Sequence, residues 1–255
     1  MTKWTALLLA GSRPKGDPLA RAMGASHKAL IPIDGEPMIL RPLKALLESP
    51  NVGEIIILTQ NSDDLRPVIP KSKRVRFEAS RSTIAETMED LIVKQRVQFP
   101  VLVTTADHAL LDPQMIAEFT AAAAGADLAV GVVERKNLLE RLPQAKRTWI
   151  PFRRGAYSGA NLFAFGSIKV LAPIEQWRSV EQSRKSGLRL LSALGPTLLL
   201  GAALRMRTLD QSVAAVGRKF KMTIRAVVMS NPLACVDVDK PVDHAVVEAI
   251  LSGRA

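Results

Sequence analysis

Three groups of residues in this 255-residue chain have the types and spacing to do chemistry on phosphates. The first lies in residues 10–28, where Gly11, Gly16 and Gly24 permit close backbone approach and Arg13, Lys15, Arg21 and Lys28 supply positive charge. Backbone N–H groups and a reaching lysine suit the oxygens of a triphosphate. The glycine spacing matches neither the dinucleotide fingerprint nor the phosphate-loop pattern, so it does not fix the ligand by itself. The second is Asp107, in Thr104-Thr105-Ala106-Asp107-His108, a carboxylate at the end of an apolar and threonine run. A carboxylate so placed commonly holds Mg²⁺, which takes oxygen ligands and keeps positions for phosphates. The third is Cys235-Val236-Asp237-Val238-Asp239, where alternation along a strand would set Asp237 and Asp239 on one side and offer a second metal carboxylate. The simpler readings are a solvated strand end for Asp107 and a helix N-cap for Asp239.

These residues need a scaffold, and the apolar pattern supplies one. Short apolar runs at residues 5–9, 54–59 and 100–105 read as buried parallel strands. Helical spacing at 38–47 and a capping box at Thr83-Ile84-Ala85-Glu86, opening a helix to about residue 96, lie between them. A helix at 113–124 and a strand at 127–133 extend the alternation. The expectation is an α/β fold, Rossmann-like and doubly wound, with a mostly parallel sheet in three α/β/α layers. Ligands in such sheets bind beyond the carboxyl ends of the strands, which is where the first two groups fall. The second half reads as a turn-rich basic stretch at 135–155, a strand at 160–165, helices at 187–206 and 209–220, strands at 222–228 and 234–238, and a helix at 241–251. We expect one domain over 1–255, with a nucleotide-binding half (1–133), a basic acceptor-side region (134–233) and a closing strand and helix (234–255).

Composition narrows the chemistry. A 47% hydrophobic content in a chain of this length excludes disorder as the main state. Arg189, Arg205 and Gly195-Pro196 interrupt the most apolar stretch before it reaches the roughly 18 residues of a membrane span. No leader-like apolar segment with a cleavage site opens the chain, and a cytoplasmic protein is expected. The single cysteine, Cys235, allows neither an intramolecular disulfide nor a multi-cysteine metal site. The net charge of +11 lies in the second half: residues 1–130 carry 15 Lys and Arg against 15 Asp and Glu, and residues 131–255 carry 20 against 9. That field attracts anions.

Read in order, the motifs resemble those of the MobA-like NTP transferases. They are Leu8-Leu9-Ala10-Gly11, then Arg21-Ala22-Met23-Gly24-Ala25-Ser26-His27-Lys28-Ala29-Leu30, then Ile33-Asp34-Gly35-Glu36-Pro37-Met38, then Thr105-Ala106-Asp107-His108, and last Asp237-Val238-Asp239-Lys240-Pro241-Val242-Asp243. The chain departs from the family pattern in Ser12 after Ala-Gly, in His27 before the lysine, and in about eight extra residues at 12–19. The resemblance implies that Leu9, Ala10, Gly11 and Ser12 receive the nucleotide, with Ser82 and Thr83 near its base or ribose. It further implies that Lys28, Arg21 and Arg13 act on the triphosphate, and that Asp107 with Asp237 or Asp239 holds Mg²⁺, for which Mn²⁺ could substitute. The implied reaction moves a nucleoside monophosphate from an NTP to a phosphorylated small molecule and releases pyrophosphate.

The basic second half fits such an acceptor, and Arg147, Arg153, Arg154, Tyr157, Gly159 and Asn161 are its candidate ligands. The bland alternative has Gly159 permitting a turn and Asn161 opening a strand. Two rival functions remain. A sugar-nucleotide-dependent GT-A glycosyltransferase uses a similar sheet and metal, with a compact Asp-x-Asp that here occurs only at Asp237-Val238-Asp239. A non-catalytic protein could instead place residues 190–207 on an anionic membrane surface. Nucleic acid is the weaker partner, since 4% aromatic content leaves few stacking platforms.

Overall fold

The computed structural model describes residues 2–12, 16–181 and 207–254. Strand β1 (Trp4–Leu9) leads through α1 (Pro18–Ala22), the short hairpin β2 (Pro32–Ile33) and β3 (Glu36–Pro37), and α2 (Leu40–Glu48) to β4 (Val52–Thr59). Then come β5 (Val75–Ala79), α3 (Ile84–Val93), β6 (Val101–Thr105), α4 (Pro113–Ala123), β7 (Leu128–Glu134) and α5 (Arg135–Arg141). The chain continues with β8 (Ile150–Pro151), β9 (Ala156–Phe165), α6 (Leu171–Glu181), α7 (Leu209–Phe220), β10 (Ile224–Val228) and α8 (Pro241–Leu251).

The main sheet has the order β10-β7-β9-β6-β1-β4-β5, with β8 paired to β9. Strand β1 runs parallel to both β4 and β6, β4 parallel to β5, and β7 parallel to β10, while β9 is antiparallel to β6, β7 and β8. The sheet is therefore the mostly parallel, doubly wound one that the alternation implied. Residues of β1 alternate between two cores. Ala6 and Leu8 face a layer with Leu43 and Leu46 of α2 and Phe119 of α4, and Leu7 faces a layer with Met88, Leu91 and Ile92 of α3 and Ile174 of α6. Burial on both faces explains why these strands read as unbroken apolar runs.

The register sets the site. Leu9 lies level with Leu58 of β4 and with Thr105 of β6, so three strands end together. The chain leaves β1 toward β4 on one side and returns to β6 on the other, which opens a crevice at their carboxyl ends. Helix α3 starts at this edge because Thr83 caps it, its hydroxyl accepting the Glu86 N–H at 3.1 Å. The helix ends at Val93, before the expected residue 96, where Gln95 takes a left-handed φ of 52°.

Several elements differ from the sequence expectation. Residues 234–238 do not form a strand: Pro232–Cys235 is a 3-10 turn that Asn231 starts by accepting the Leu233 N–H at 3.0 Å, and β10 already takes the sheet edge beside β7. Cys235 is buried on that turn rather than on a strand. The stretch 135–155 contains α5 and β8 instead of turns alone, and β9 is longer than expected, starting at Ala156. Helix α2 begins at Leu40, the Met38 N–H being spent on the Ile31 carbonyl. The helix expected at 187–206 lies outside the described residues. No helix among the described residues is long and apolar enough to cross a membrane.

Candidate active site

A cleft of about 330 Å³ opens at the carboxyl ends of β1, β4 and β6. Leu9, Ala10, Gly11 and Ser12 line it together with Ser82, Thr83 and Ile84, and so do Lys28, Asp107 and Asp239. Gly11 lets the loop pass close to Gln60: a Cβ there would lie 3.1 Å from the Gln60 amide nitrogen, and the Gln60 side chain would have to give way by a few tenths of an ångström. Gln60 in turn accepts the Ser12 N–H at 2.8 Å and so braces the loop. Sequence reasoning did not name Gln60, although it directly follows β4, and the rule that ligands sit beyond strand ends points to it. Asp17 also lines the cleft, and caps α1 by accepting the Leu19 N–H at 2.9 Å. The extra residues thus include a helix start.

Lys28 opens a 3-10 turn, Lys28–Leu30, which His27 caps by accepting the Ala29 N–H on Nδ1 at 3.0 Å. Burial lowers the pKa of His27 and favours the neutral ring that this bond requires. The turn aims Lys28 at two carboxylates: Nζ lies 2.6 Å from Asp107 Oδ2 and 2.6 Å from Asp239 Oδ1. Burial works against the ammonium, but the charges and hydrogen bonds of Asp107 and Asp239 outweigh it and raise the Lys28 pKa above its ordinary value. Asp107 is further held by the Thr105 hydroxyl at 2.5 Å, so it is no loose strand end. Asp239 is not a cap either. Asp243, in the first turn of α8, accepts the N–H groups of Asp239 (3.2 Å) and Lys240 (2.8 Å), leaving the Asp239 side chain free to reach Lys28.

Asp237 has partners of its own, while still lying close enough to Lys28 to feel its charge. Its carboxylate takes a two-pronged contact from Arg147 and accepts the Asn161 amide at 3.0 Å. Burial would raise its pKa, but the Arg147 hydrogen bonds and charge, with Asn161 and Lys28, hold it below the usual carboxylate range. His108 lies beneath, fully buried, with Nδ1 3.2 Å from the Thr104 hydroxyl, and burial pushes its pKa down to about 4. Burial raises the Cys235 thiol to about 11, consistent with an inert core residue.

Of the remaining expected site residues, Arg21 is exposed at the end of α1, beside Gly16 and not on the cleft wall. Arg13 and Lys15 lie outside the described residues, as does 190–206 of the segment considered for membrane contact. Arg153 and Arg154 are exposed on the turn between β8 and β9. Tyr157 donates to the Arg154 carbonyl at 3.3 Å, and Gly159 is exposed in β9. Arg147 and Asn161 are drawn to Asp237 rather than standing free for an acceptor.

Among the described residues no three His, Cys, Asp or Glu side chains gather into a metal cage. Asp107 and Asp239 nevertheless present carboxylate oxygens to a single cation, the Lys28 ammonium. Two carboxylates with room left for phosphate oxygens and water form a donor set that suits Mg²⁺.

A doubly wound sheet with a glycine loop, a lysine and paired carboxylates at one switch point defines a nucleotide-handling α/β enzyme. The MobA-like NTP transferase domain model matches residues 6–197, and the chain belongs to that family, as a nucleotidyltransferase. Among solved structures it is similar to a hypothetical transferase from Thermus thermophilus, with a TM-score of 0.79, 26% identity, and coverage of 95% of this chain and 100% of that one. It shares its fold with 4-diphosphocytidyl-2C-methyl-D-erythritol synthase from Anaerococcus prevotii (TM-score 0.61, 11% identity, 98% and 99% covered). The fold is also that of a CMP:2-keto-3-deoxy-manno-octonic acid synthetase complexed with CTP (TM-score 0.60, 13% identity, 100% of both chains covered). No curated protein sequence matches the chain. Family membership favours nucleotidyl transfer over the glycosyltransferase reading.

Proposed function

We propose that the protein transfers a nucleoside monophosphate from an NTP to a phosphate group of a small sugar, polyol or cofactor, with release of pyrophosphate. The observation that carries this reading is the convergence of Lys28, Asp107 and Asp239 in the cleft, with Lys28 2.6 Å from each carboxylate. An acceptor phosphate oxygen forms a bond to the α-phosphorus as the bond to the bridging oxygen breaks, and that electron pair leaves with pyrophosphate. The acceptor is already an anion, so no strong base is needed, and catalysis rests on positioning and charge neutralisation.

The loop at Leu9, Ala10, Gly11 and Ser12 receives the nucleotide, and Ser82 and Thr83 lie against its base or ribose. The Lys28 ammonium exchanges its carboxylate partners for triphosphate oxygens and stabilises the departing pyrophosphate, with Arg13 of the loop and Arg21 at the end of α1 adding positive charge around it. Asp107 and Asp239 would hold Mg²⁺, or Mn²⁺, which supplies charge neutralisation at the reacting phosphates. The exposed Arg153 and Arg154 with Tyr157 and Gly159 form the acceptor side. The site belongs to a cytoplasmic enzyme in this reading.

The test is pyrophosphate release with each of ATP, GTP, CTP and UTP, Mg²⁺, and a panel of phosphorylated sugars and polyols. One NTP and acceptor pair should release pyrophosphate in step with a diphosphate-linked product. Turnover of a nucleoside-diphosphate sugar, with no pyrophosphate from any pair, would replace this reading with glycosyl transfer.

A further inference from the structure

We propose that Asn161 and Arg147 are positioning residues, which grip Asp237 and thereby deliver Asp239 to Lys28. The inference rests on the transferase reading for its consequence in turnover, and on geometry for the grip itself.

Strand β9 breaks its regular form at Asn161, the one residue of that strand with a left-handed backbone, at a φ of 49°. Val130 of β7 pairs with Phe163, but Val132 pairs with Gly159, so three residues of β9 (Ala160, Asn161 and Leu162) stand opposite Gly131 alone. The bulge fits because residue 131 has no side chain: a Cβ there would sit 3.1 Å from the Leu162 Cβ and 3.4 Å from the Ala160 Cβ. Bulges turn side chains out of the alternation and are frequent beside active sites. Here the bulge turns the Asn161 amide onto Asp237 Oδ2 at 3.0 Å.

Arg147, from the connection between α5 and β8, grips the same carboxylate through both terminal nitrogens, and its Nε is buried without a partner among the described residues. A left-handed backbone in a strand and an unpaired buried N–H both cost free energy, and both fall on residues holding Asp237. Two local costs at one carboxylate point to a geometric requirement there.

That requirement lies two residues further on. The Val238 N–H donates to the Asp107 carbonyl at 3.1 Å, and Asp239 then reaches Lys28. Asp237 anchors the near end of this segment and Asp243 the far end, so the Asp239 carboxylate is set by its flanks.

Asn161→Gly separates positioning from mere shape. Glycine accepts the left-handed backbone without strain, so the course of β9 is kept and the melting temperature should fall only modestly, while the amide that grips Asp237 is gone. Supporting side chains of this kind are worth about tenfold or more in activity. We expect Val238 amide hydrogen exchange to quicken about tenfold and kcat to fall by a similar factor, with the NTP KM little changed. Arg147→Lys keeps the charge but loses the two-pronged geometry, and should shift both readouts in the same direction. An Asn161→Gly protein with the wild-type Val238 exchange rate and wild-type kcat would overturn the proposal. Failure of the transferase reading would instead show as no pyrophosphate from the wild-type protein, with the exchange comparison still readable.

Discussion

Two aspartates separated by one residue end in opposite environments. Asp239 is half exposed at the cleft, with a side-chain exposure of 52%, and holds one cation, Lys28, whereas Asp237 is 12% exposed and closed in by Arg147 and Asn161. The same chemical group is left available in one place and committed in the other. Charge type alone therefore does not say what a carboxylate is available for; how much of its hydrogen-bonding capacity the fold leaves unspent does.

The strongest way to break this contrast is at the cleft side. Asp107→Ala should cut turnover about a thousandfold, the scale at which removing a charge-stabilising partner acts, while the melting temperature stays near wild type. Retained turnover at saturating Mg²⁺ would remove the cleft cluster from the mechanism. At the closed side the loss should appear in stability instead. Arg147→Met leaves the Asp237 carboxylate buried without its cation, and should cost about 3 kcal/mol in denaturant unfolding. A loss within about 0.5 kcal/mol would mean that the pair behaves as a surface contact.

The pH response sharpens the contrast further. His108 has a folded pKa of about 4 against an ordinary 6.5, because burial disfavours the imidazolium. Between those values the unfolded chain binds the proton and the folded one does not, so stability falls as pH drops from 6.5 toward 4, by an amount on the order of 3 kcal/mol. Asp237 acts in a lower window. Its depressed pKa gives stability present above the usual 3.8 and lost as pH falls below it. Melting temperature against pH for His108→Gln should be flatter than wild type between 6.5 and 4, and parallel slopes would show that His108 does not titrate there.

The first half of the chain was readable because its signals are local. Apolar runs buried on both faces gave the strands, the Thr83 cap gave the start of α3, and the rule of strand ends pointed to Asp107. The closing segment was harder, since Val236 and Val238 alternate with Asp237 and Asp239 as in a strand, while the Asn231-Pro232 turn and the prior occupation of the sheet edge by β10 are not visible in that alternation. The partners of Asp237 lie 76 and 90 residues away, on a bulge and a connection, and no spacing rule links them. Gln60 was missed for a different reason: its role in bracing the Ser12 N–H appears only once β1 and β4 are seen to end level.

The most direct test of the central assignment is Mn²⁺ binding in the presence of the NTP from which the wild-type protein releases pyrophosphate, measured by electron paramagnetic resonance for Asp239→Asn and Asp237→Asn. If the assignment holds, Asp239→Asn loses Mn²⁺ affinity by about a hundredfold and Asp237→Asn by a smaller factor, about tenfold. Wild-type affinity in Asp239→Asn together with lost binding in Asp237→Asn would contradict it.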